Sequence, residues 1–392
     1  MSSLSLTKGA SPVFISTMKN EGPYILEWLA YHRVIGFRDF LIYTNDCDDG
    51  TVEILDRLTE MGLVQHERNE VLLRGPHKSA LKYAFQHPLA DRTWVYVADI
   101  DEYLNVKIGD GSVQTLIAEY EDADVIPVTW RLFSHNDMIE YEDVSLMERM
   151  TDAERPLTDG GFPDRFVKSL FRRTPDVERF GLHGPRYVDG VGPKWVQPGG
   201  RELGQGDNLT RPAEHYGYDV AQVNHYAVRS LDGYLVKKDR GRANHVKQEL
   251  GGAYWRKMCL GGEQDTSIHR HLEATKAEMA RIKSDDVFAD LHDDSVAWHK
   301  AKIETLQKDR AFRRVRGMIM KMSEAQDHHR RYEKETSNSA ESSAAEDPRD
   351  RIASLCKELR GLIDHIEPVE AAQTAHGELD DLERGLFGVT AR

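Results

Sequence analysis

The chain has 392 residues, 40% of them hydrophobic, and a formal net charge of −14. That length and apolar content can build one large α/β domain with additions, or two domains. The acidic balance excludes a general nucleic-acid binder, which needs a basic face, and disfavours wholesale binding to anionic membrane.

Residues 13–16 are a β-branched and aromatic run that predicts a buried first strand. A turn-rich loop at 18–23 leads into an amphipathic helix with Ile25, Trp28, Leu29, His32 and Val34 roughly on one side. Residues 40–43 read as the second strand. The polar loop 44–50 then opens a helix bearing Val52, Leu55 and Leu58, with Asp49 or Thr51 as its N-cap. Residues 62–66 read as a third strand, 78–86 as a helix, and 94–98 as a fourth strand that delivers Asp99. A further strand is expected at 124–133. Strand and helix alternate at short intervals, so the expected fold class is α/β: a Rossmann-like, mostly parallel sheet flanked by helices. Ligands on such sheets sit beyond the carboxyl ends of the strands, and the polar loops fall at that edge.

Residues 134–215 are rich in Gly, Pro and His with little periodicity. Residues 268–336 are charged and helical, and 337–350 have a linker composition. A short helix at about 350–365 and a weakly ordered tail finish the chain. The domain reading is one large domain at 1–267, with halves at 11–133 and 134–267. A helical extension (268–336), a flexible linker (337–350) and a terminal segment (351–392) follow. The extension fits a solvated appendage, or a surface for self-association or docking. Cys47, Cys259 and Cys356 are far apart, forming neither a metal pair nor an even disulfide framework, which fits a reducing compartment. Residues 1–10 lack an apolar signal core, and no apolar run is long enough to span a bilayer. The expected location is cytoplasmic, at most peripheral at an inner membrane.

Three constellations carry chemistry. Asp99 and Asp101 stand two apart at a strand end, where alternation turns both carboxylates the same way. Together they suit Mg²⁺ or Mn²⁺, hard ions that share their coordination with waters and substrate phosphates; a solvated acidic turn is the bland alternative. Asn45, Asp46, Asp48 and Asp49 form a strand-to-helix loop that suits a base and ribose, or simply an acidic helix cap. Lys237, Lys238, Arg240 and Arg242 are dense positive charge around Gly241 and suit a diphosphate. His225 lies just upstream and is a candidate third metal ligand; His183 is a weaker one.

Taken together, these residues resemble the GT-A glycosyltransferases, specifically the family 2-like group close to family 92. The resemblance runs from about residue 15 to 241. It rests on Lys19-Asn20-Glu21 with Glu27-Trp28-Leu29 and Tyr31-His32, Tyr43-Thr44-Asn45-Asp46 with Asp49-Gly50-Thr51, Trp94 through Asp99-Ile100-Asp101-Glu102-Tyr103, Trp130-Arg131-Leu132-Phe133, Lys168 through Arg172, and Asn224-His225-Tyr226 with Lys237 and Arg240-Gly241. The resemblance implies that the Ser16, Lys19, Asn20 and Glu21 loop lines the nucleoside pocket with Asn45 and Asp46, and that Lys78 approaches the donor phosphates. It implies Mn²⁺ on Asp99, Asp101 and His225, and a diphosphate clamp by Lys237 and Arg240. The implied reaction is inverting transfer from a UDP-sugar to a glycan or lipid-linked acceptor such as a bacterial surface glycan. Inversion requires a carboxylate base, and Asp137 is the candidate, with Glu140, Glu142 and Asp143 close by. Two other readings compete. A sugar nucleotidyltransferase would carry a Gly-rich, basic N-terminal loop, which residues 18–23 do not provide. A non-catalytic scaffold would not need Asp99, Asp101 and His225 intact.

Overall fold

The computed structural model describes residues 11–72, 75–155, 165–203, 210–211, 217–241, 251–338 and 357. Its first half is β1 (Val13–Met18), α1 (Ile25–Val34), β2 (Asp39–Thr44), α2 (Thr51–Glu60), β3 (Gln65–Arg68), α3 (Pro76–Gln86) and β4 (Trp94–Val97). The strands lie in the order β3-β2-β1-β4, all parallel. Parallel neighbours need crossovers, and the three helices supply them. β1 and β2 are buried almost end to end, as strands covered on both faces must be. Phe14 packs with Trp28, Phe37, Phe40 and Tyr96 on one face, while Ile15 joins Leu41, Val95 and Val97 beneath α3 on the other. The third strand starts later than expected, at Gln65, because Leu63 and Val64 are spent packing the turn into it.

Next come β5 (Glu102–Val106), α4 (Val113–Glu119), β6 (Val125–Leu132), α5 (Leu146–Arg149), β7 (Asp152–Glu154) and β8 (Arg165–Arg172). β8 inserts between β4 and β6, antiparallel to both, so β4 and β6 run the same way. β9 (Val177–Arg179) and β10 (Arg186–Tyr187) form a separate ribbon. β11 (Trp195–Val196) extends the sheet parallel to β6, with β12 (Glu202–Leu203) on its outer side, and β13 (Thr210–Arg211) pairs with β8. β14 (Ala221–His225) runs parallel to β6 and antiparallel to β5. The α/β sheet flanked by helices is present as expected, with β8 reversing direction within it. The carboxyl ends of β1, β2, β4, β6 and β14 share one edge.

The remaining elements are α6 (Leu231–Arg240), α7 (Gly252–Met258), β15 (Gly262–Gln264), α8 (Leu272–Lys283), α9 (Asp286–Lys308) and α10 (Arg310–Asn338). Residues 268–336 are helical as expected, but they are not a solvated appendage. α8 lies on α1, α9 crosses α2, α6 and the turn Gly22–Tyr24, and α10 packs on α6 and α7. That cover explains why α1 is buried nearly all round instead of on one face. Asp285 caps α9 through the Phe288 N–H and pairs with Arg57 of α2 at 2.6 Å. Phe288, Val296, Ile303, Leu306, Ile319 and Met322 are buried. The expected linker and terminal segment lie outside the described residues apart from Ser337, Asn338 and Lys357. No helix among the described residues is long and apolar enough to cross a membrane.

Candidate active site

β4 ends at Val97 and the chain turns at once. The Glu102 N–H donates to the Asp99 carbonyl at 3.1 Å, and the Asp99 N–H donates to Glu102 Oε2 at 2.7 Å. Asp99 and Asp101 therefore sit in a tight turn, which corrects the expectation that strand alternation aligns them. Each carboxylate has its own partners. Asp99 Oδ2 is 3.2 Å from Lys168 Nζ, and its Oδ1 is 3.9 Å from His77 Nδ1. Asp101 Oδ2 accepts from Lys237 Nζ at 2.7 Å and lies 3.7 Å from His225 Nε2. Burial pushes both carboxyls up, but the cations outweigh it. Lys168 and His77 hold Asp99 below the usual carboxylate range, and Lys237 and His225 hold Asp101 well below it. Lys168 also meets Glu102 Oε2 at 3.0 Å. Burial pulls its ammonium down, yet Asp99 and Glu102 raise it further. Burial pushes Glu102 itself up to about 7.

The β14 ladder brings His225 here. His225 pairs with Glu102 across β5 and with Leu132 across β6, and the Tyr226 N–H donates to the Asp101 carbonyl at 2.8 Å. Among the described residues, no three His, Cys, Asp or Glu side chains converge to hold a metal ion. Asp99, Asp101 and His225 thus do not make the closed three-ligand set expected; the turn gives each carboxylate a separate cation. What remains is two charged carboxylates beside an imidazole whose buried Nδ1 has no hydrogen-bond partner. That donor set fits Mg²⁺ or Mn²⁺, which bind through one or two carboxylates and fill their shell from water and substrate phosphates.

The loops after β1 and β2 are tied together beside this turn. Asn20, at φ +50°, exchanges side-chain and backbone hydrogen bonds with Asp48. The Glu21 N–H donates to Thr51 Oγ1 (2.8 Å) and the Gly22 N–H to Asp49 Oδ2 (2.9 Å). Asp49 also accepts from the Thr51 N–H, although the N-cap position itself is Gly50 in a left-handed conformation. Lys19 Nζ is 4.0 Å from Asp46 Oδ2. Ser16 Oγ and Asn45 Oδ1 are buried without partners. Glu21 is gripped by two arginines: Arg240 Nη2 at 2.6 Å and Arg229 Nη1 at 3.0 Å. Arg240 also donates to the Lys19 and Asn20 carbonyls, and the Arg229 guanidinium lies 3.5 Å from the Tyr24 ring centroid.

Residues 15–189, which hold the first loop, the acidic turn and Lys168, match the model of glycosyltransferase family 92. The match covers less than half of the chain, and this segment is similar to a glycosyltransferase family 92 domain. A family 92 protein of Ricinus communis is 26% identical over 117 residues, covering 26% of this chain and 19% of its own. One from Oryza sativa subsp. japonica is 28% identical over 117 residues, covering 29% and 19%. The chain thus spans about a fifth of the length of the curated relatives it matches. Among solved structures, S. aureus TarS 1–349 aligns over 75% of this chain and 82% of its own at 13% identity and TM-score 0.28. Its complex with UDP aligns over 31% and 35% at 18% identity and TM-score 0.25. These overlaps are loose, and the architecture rests on the strand order itself.

In the matched segment and in β14 and α6, the expected residues fall unevenly. Ser16 near the end of β1 and Lys19, Asn20, Glu21, Asn45 and Asp46 on the two loops lie together, with Arg240 joined to them through Glu21, while Asp99, Asp101, His225 and Lys237 gather around the acidic turn. Lys78 does not face the turn: it is exposed on α3 and lines a groove of about 1180 Å³ against the β9–β10 ribbon. Its neighbour His77 faces Asp99 instead. Asp137 is exposed in a left-handed turn at φ +60°, with no hydrogen bond or ion pair to a described residue. Arg242 lies outside the described residues. Arg131 is structural: it is buried and paired with Asp265 at 2.7 Å. His77, Lys168, Glu102 and Arg229 were not singled out from sequence for a role. The one available signal was a charge, Lys168 or Glu102, within a strand.

Proposed function

We propose that the protein is a metal-dependent glycosyltransferase that moves a sugar from a nucleotide-sugar donor to a hydroxyl of a glycan, lipid-linked or other acceptor. The similarity to family 92 supports the class. The observation that carries the reading is the convergence at one sheet edge of both tied loops, the acidic turn and the Lys237, Arg229 and Arg240 cations. Ser16 Oγ, Asn45 Oδ1, Glu102 Oε1 and His225 Nδ1 are all buried there without partners. Buried polar atoms are normally satisfied, and a polar ligand accounts for four orphans in one place.

In this reading the nucleoside lies on Ser16 and Asn45, and the diphosphate reaches the acidic turn. Mn²⁺ or Mg²⁺ on Asp99 and Asp101, with His225 adjacent, would neutralise charge growing on the leaving diphosphate. The chain's own groups do the rest. Glu21, Asp99, Asp101 and Glu102 are matched by Lys168, Lys237, Arg229 and Arg240. A diphosphate arriving with its ion is close to neutral and does not upset that balance. Lys237 and Arg240 can exchange a carboxylate or carbonyl for a phosphate oxygen, a charge-assisted contact of comparable strength. A UDP-sugar donor and inversion are what the family resemblance implies. Inversion assigns the acceptor proton to a carboxylate, and Asp137 is the proposed base. The matched relatives are plant proteins, so the bacterial acceptor expected from sequence draws no support from them.

The test is thermal stabilisation by a panel of nucleoside diphosphates with and without Mn²⁺. A Tm rise for one diphosphate that needs Mn²⁺ and disappears in Asp101→Asn is expected. No rise with any of them would favour the scaffold reading.

A further inference from the structure

Past the acidic turn, the same edge carries aromatic side chains that the nucleotide site does not use. The β6–β8 ladder pairs Thr129 with Val167, and one step on, the Trp130 and Phe166 rings stand 5.4 Å apart. His183, in the loop after β9, stacks on Phe166 at 4.7 Å and 21° and lies 5.6 Å from Trp130. His225 is 4.4 Å from Trp130 on another side. His183 Nδ1 is 2.9 Å from the Val167 carbonyl, which makes it the protonated nitrogen, and burial keeps the ring neutral. Phe166 is 37% exposed, the only aromatic so open among the described residues, while Trp130 is 9% exposed and its Nε1–H has no acceptor. A lone exposed phenylalanine needs no explanation. One stacked on a neutral imidazole, beside an orphaned indole N–H, has the form of a half-built site.

Position decides the ligand class. Along the edge the strands run β2, β1, β4, β8, β6. The nucleoside loops follow β2 and β1, the acidic turn follows β4, and the aromatics stand on β8 and β6. A nucleotide-sugar laid along that line places its sugar, and the hydroxyl that attacks it, at the aromatics.

We propose that Phe166, His183 and Trp130 form a stacking platform for a pyranose ring of the transfer reaction, with the Trp130 N–H donating to a ring hydroxyl. The proposal rests on the glycosyltransferase reading above. The C–H face of a pyranose is apolar and slightly positive, which suits the negative face of an aromatic ring, while its rim supplies the oxygen that the indole lacks.

The experiment uses the full chain as wild type, Phe166→Ala, Phe166→Tyr and Trp130→Phe. UDP and a set of UDP-sugars are titrated calorimetrically with Mn²⁺, and retention on arrayed saccharides is then read in the presence of UDP. UDP affinity is expected to stay constant. If the ring belongs to the donor, Phe166→Ala and Trp130→Phe lose the advantage of a UDP-sugar over UDP by about tenfold. If it belongs to the acceptor, donor affinities stand and array retention falls by a similar factor. Phe166→Tyr keeps the stacking face and is expected to bind sugar as the wild type does in either case. Unchanged sugar binding in both Phe166→Ala and Trp130→Phe overturns the platform. So does a wild type that binds UDP but neither a UDP-sugar better than UDP nor any arrayed saccharide, and that result leaves the nucleotide site intact. A wild type that binds no nucleoside diphosphate overturns the transferase reading, and the platform with it.

Discussion

Lys168 shows how much a single side chain holds at the acidic turn. It is fully buried and is the cation nearest both Asp99 and Glu102. Lys168→Ala takes the shared cation from the buried Glu102 and the part-exposed Asp99 and is expected to cost up to roughly 3–5 kcal/mol, read as a lower urea midpoint; an unchanged midpoint would mean that water already solvates the pair. Asp101 needs more care than its motif suggests. Its removal as alanine strands the buried Lys237 ammonium, so the informative change is Asp101→Asn. That variant is expected to lose transfer by about a hundredfold or more with the fold retained, checked by turnover beside a melting curve. A near-normal rate would remove Asp101 from the chemistry. The motif-borne residues Asp99, Asp101, His225 and Glu21 were legible from sequence because they stand in recognisable strings. His77, Lys168 and Arg229 were not, since their task is to answer a charge that only the fold brings near. Lys78 and His77 are neighbours on α3 and point about 100° apart, and sequence alone does not fix which of them faces Asp99.

Among the elements, α9 does what its charged sequence hid. Ser295 sits so tightly against Gly22 that a side chain there would collide with it, and Gly50 borders the same serine. His299 packs edge-on against Tyr24 at 5.8 Å. The helix therefore holds the turn after β1 and the loop after β2 from behind. A chain cut after residue 267 is expected to lose cooperative melting and nucleotide binding together, while one cut after Asn338 keeps both. A cooperative melt from the shorter chain would make the helices the appendage that composition suggests. Helix itself was readable across 268–336. Its packing was not, because Phe288, Val296, Ile303 and Leu306 are sparse among charges. Between residues 177 and 211 the strands from β9 to β13 are two or three residues long, too short for a period of two to register.

At the scale of the whole molecule, the alternation of strands and helices over the first hundred residues was enough to read an α/β sheet and its ligand edge. The antiparallel insertion of β8 depends on pairings between distant segments and left no local mark. Stability should carry a pH signature from the buried histidines. Burial pulls His32 and His299 down to about 3 and His183 to about 4. A folded pKa below the unfolded value, about 6.5, gives stability that is present above pH 6.5 and is lost as pH falls towards these values. Each such histidine contributes up to about 1.4 kcal/mol per pH unit in that window. The urea midpoint is therefore expected to fall between pH 7 and pH 5, and a flat profile would mean that these imidazoles protonate in the folded state. The proposed transfer takes place at the edge where the loops, the acidic turn and the cations meet. Its most direct test is release of nucleoside diphosphate from a panel of nucleotide-sugars, comparing Mn²⁺ with chelator and wild type with Asp101→Asn. Turnover of one donor with Mn²⁺ is expected, abolished by chelation and by Asp101→Asn alike. Turnover indifferent to both, or none from any donor, would contradict it.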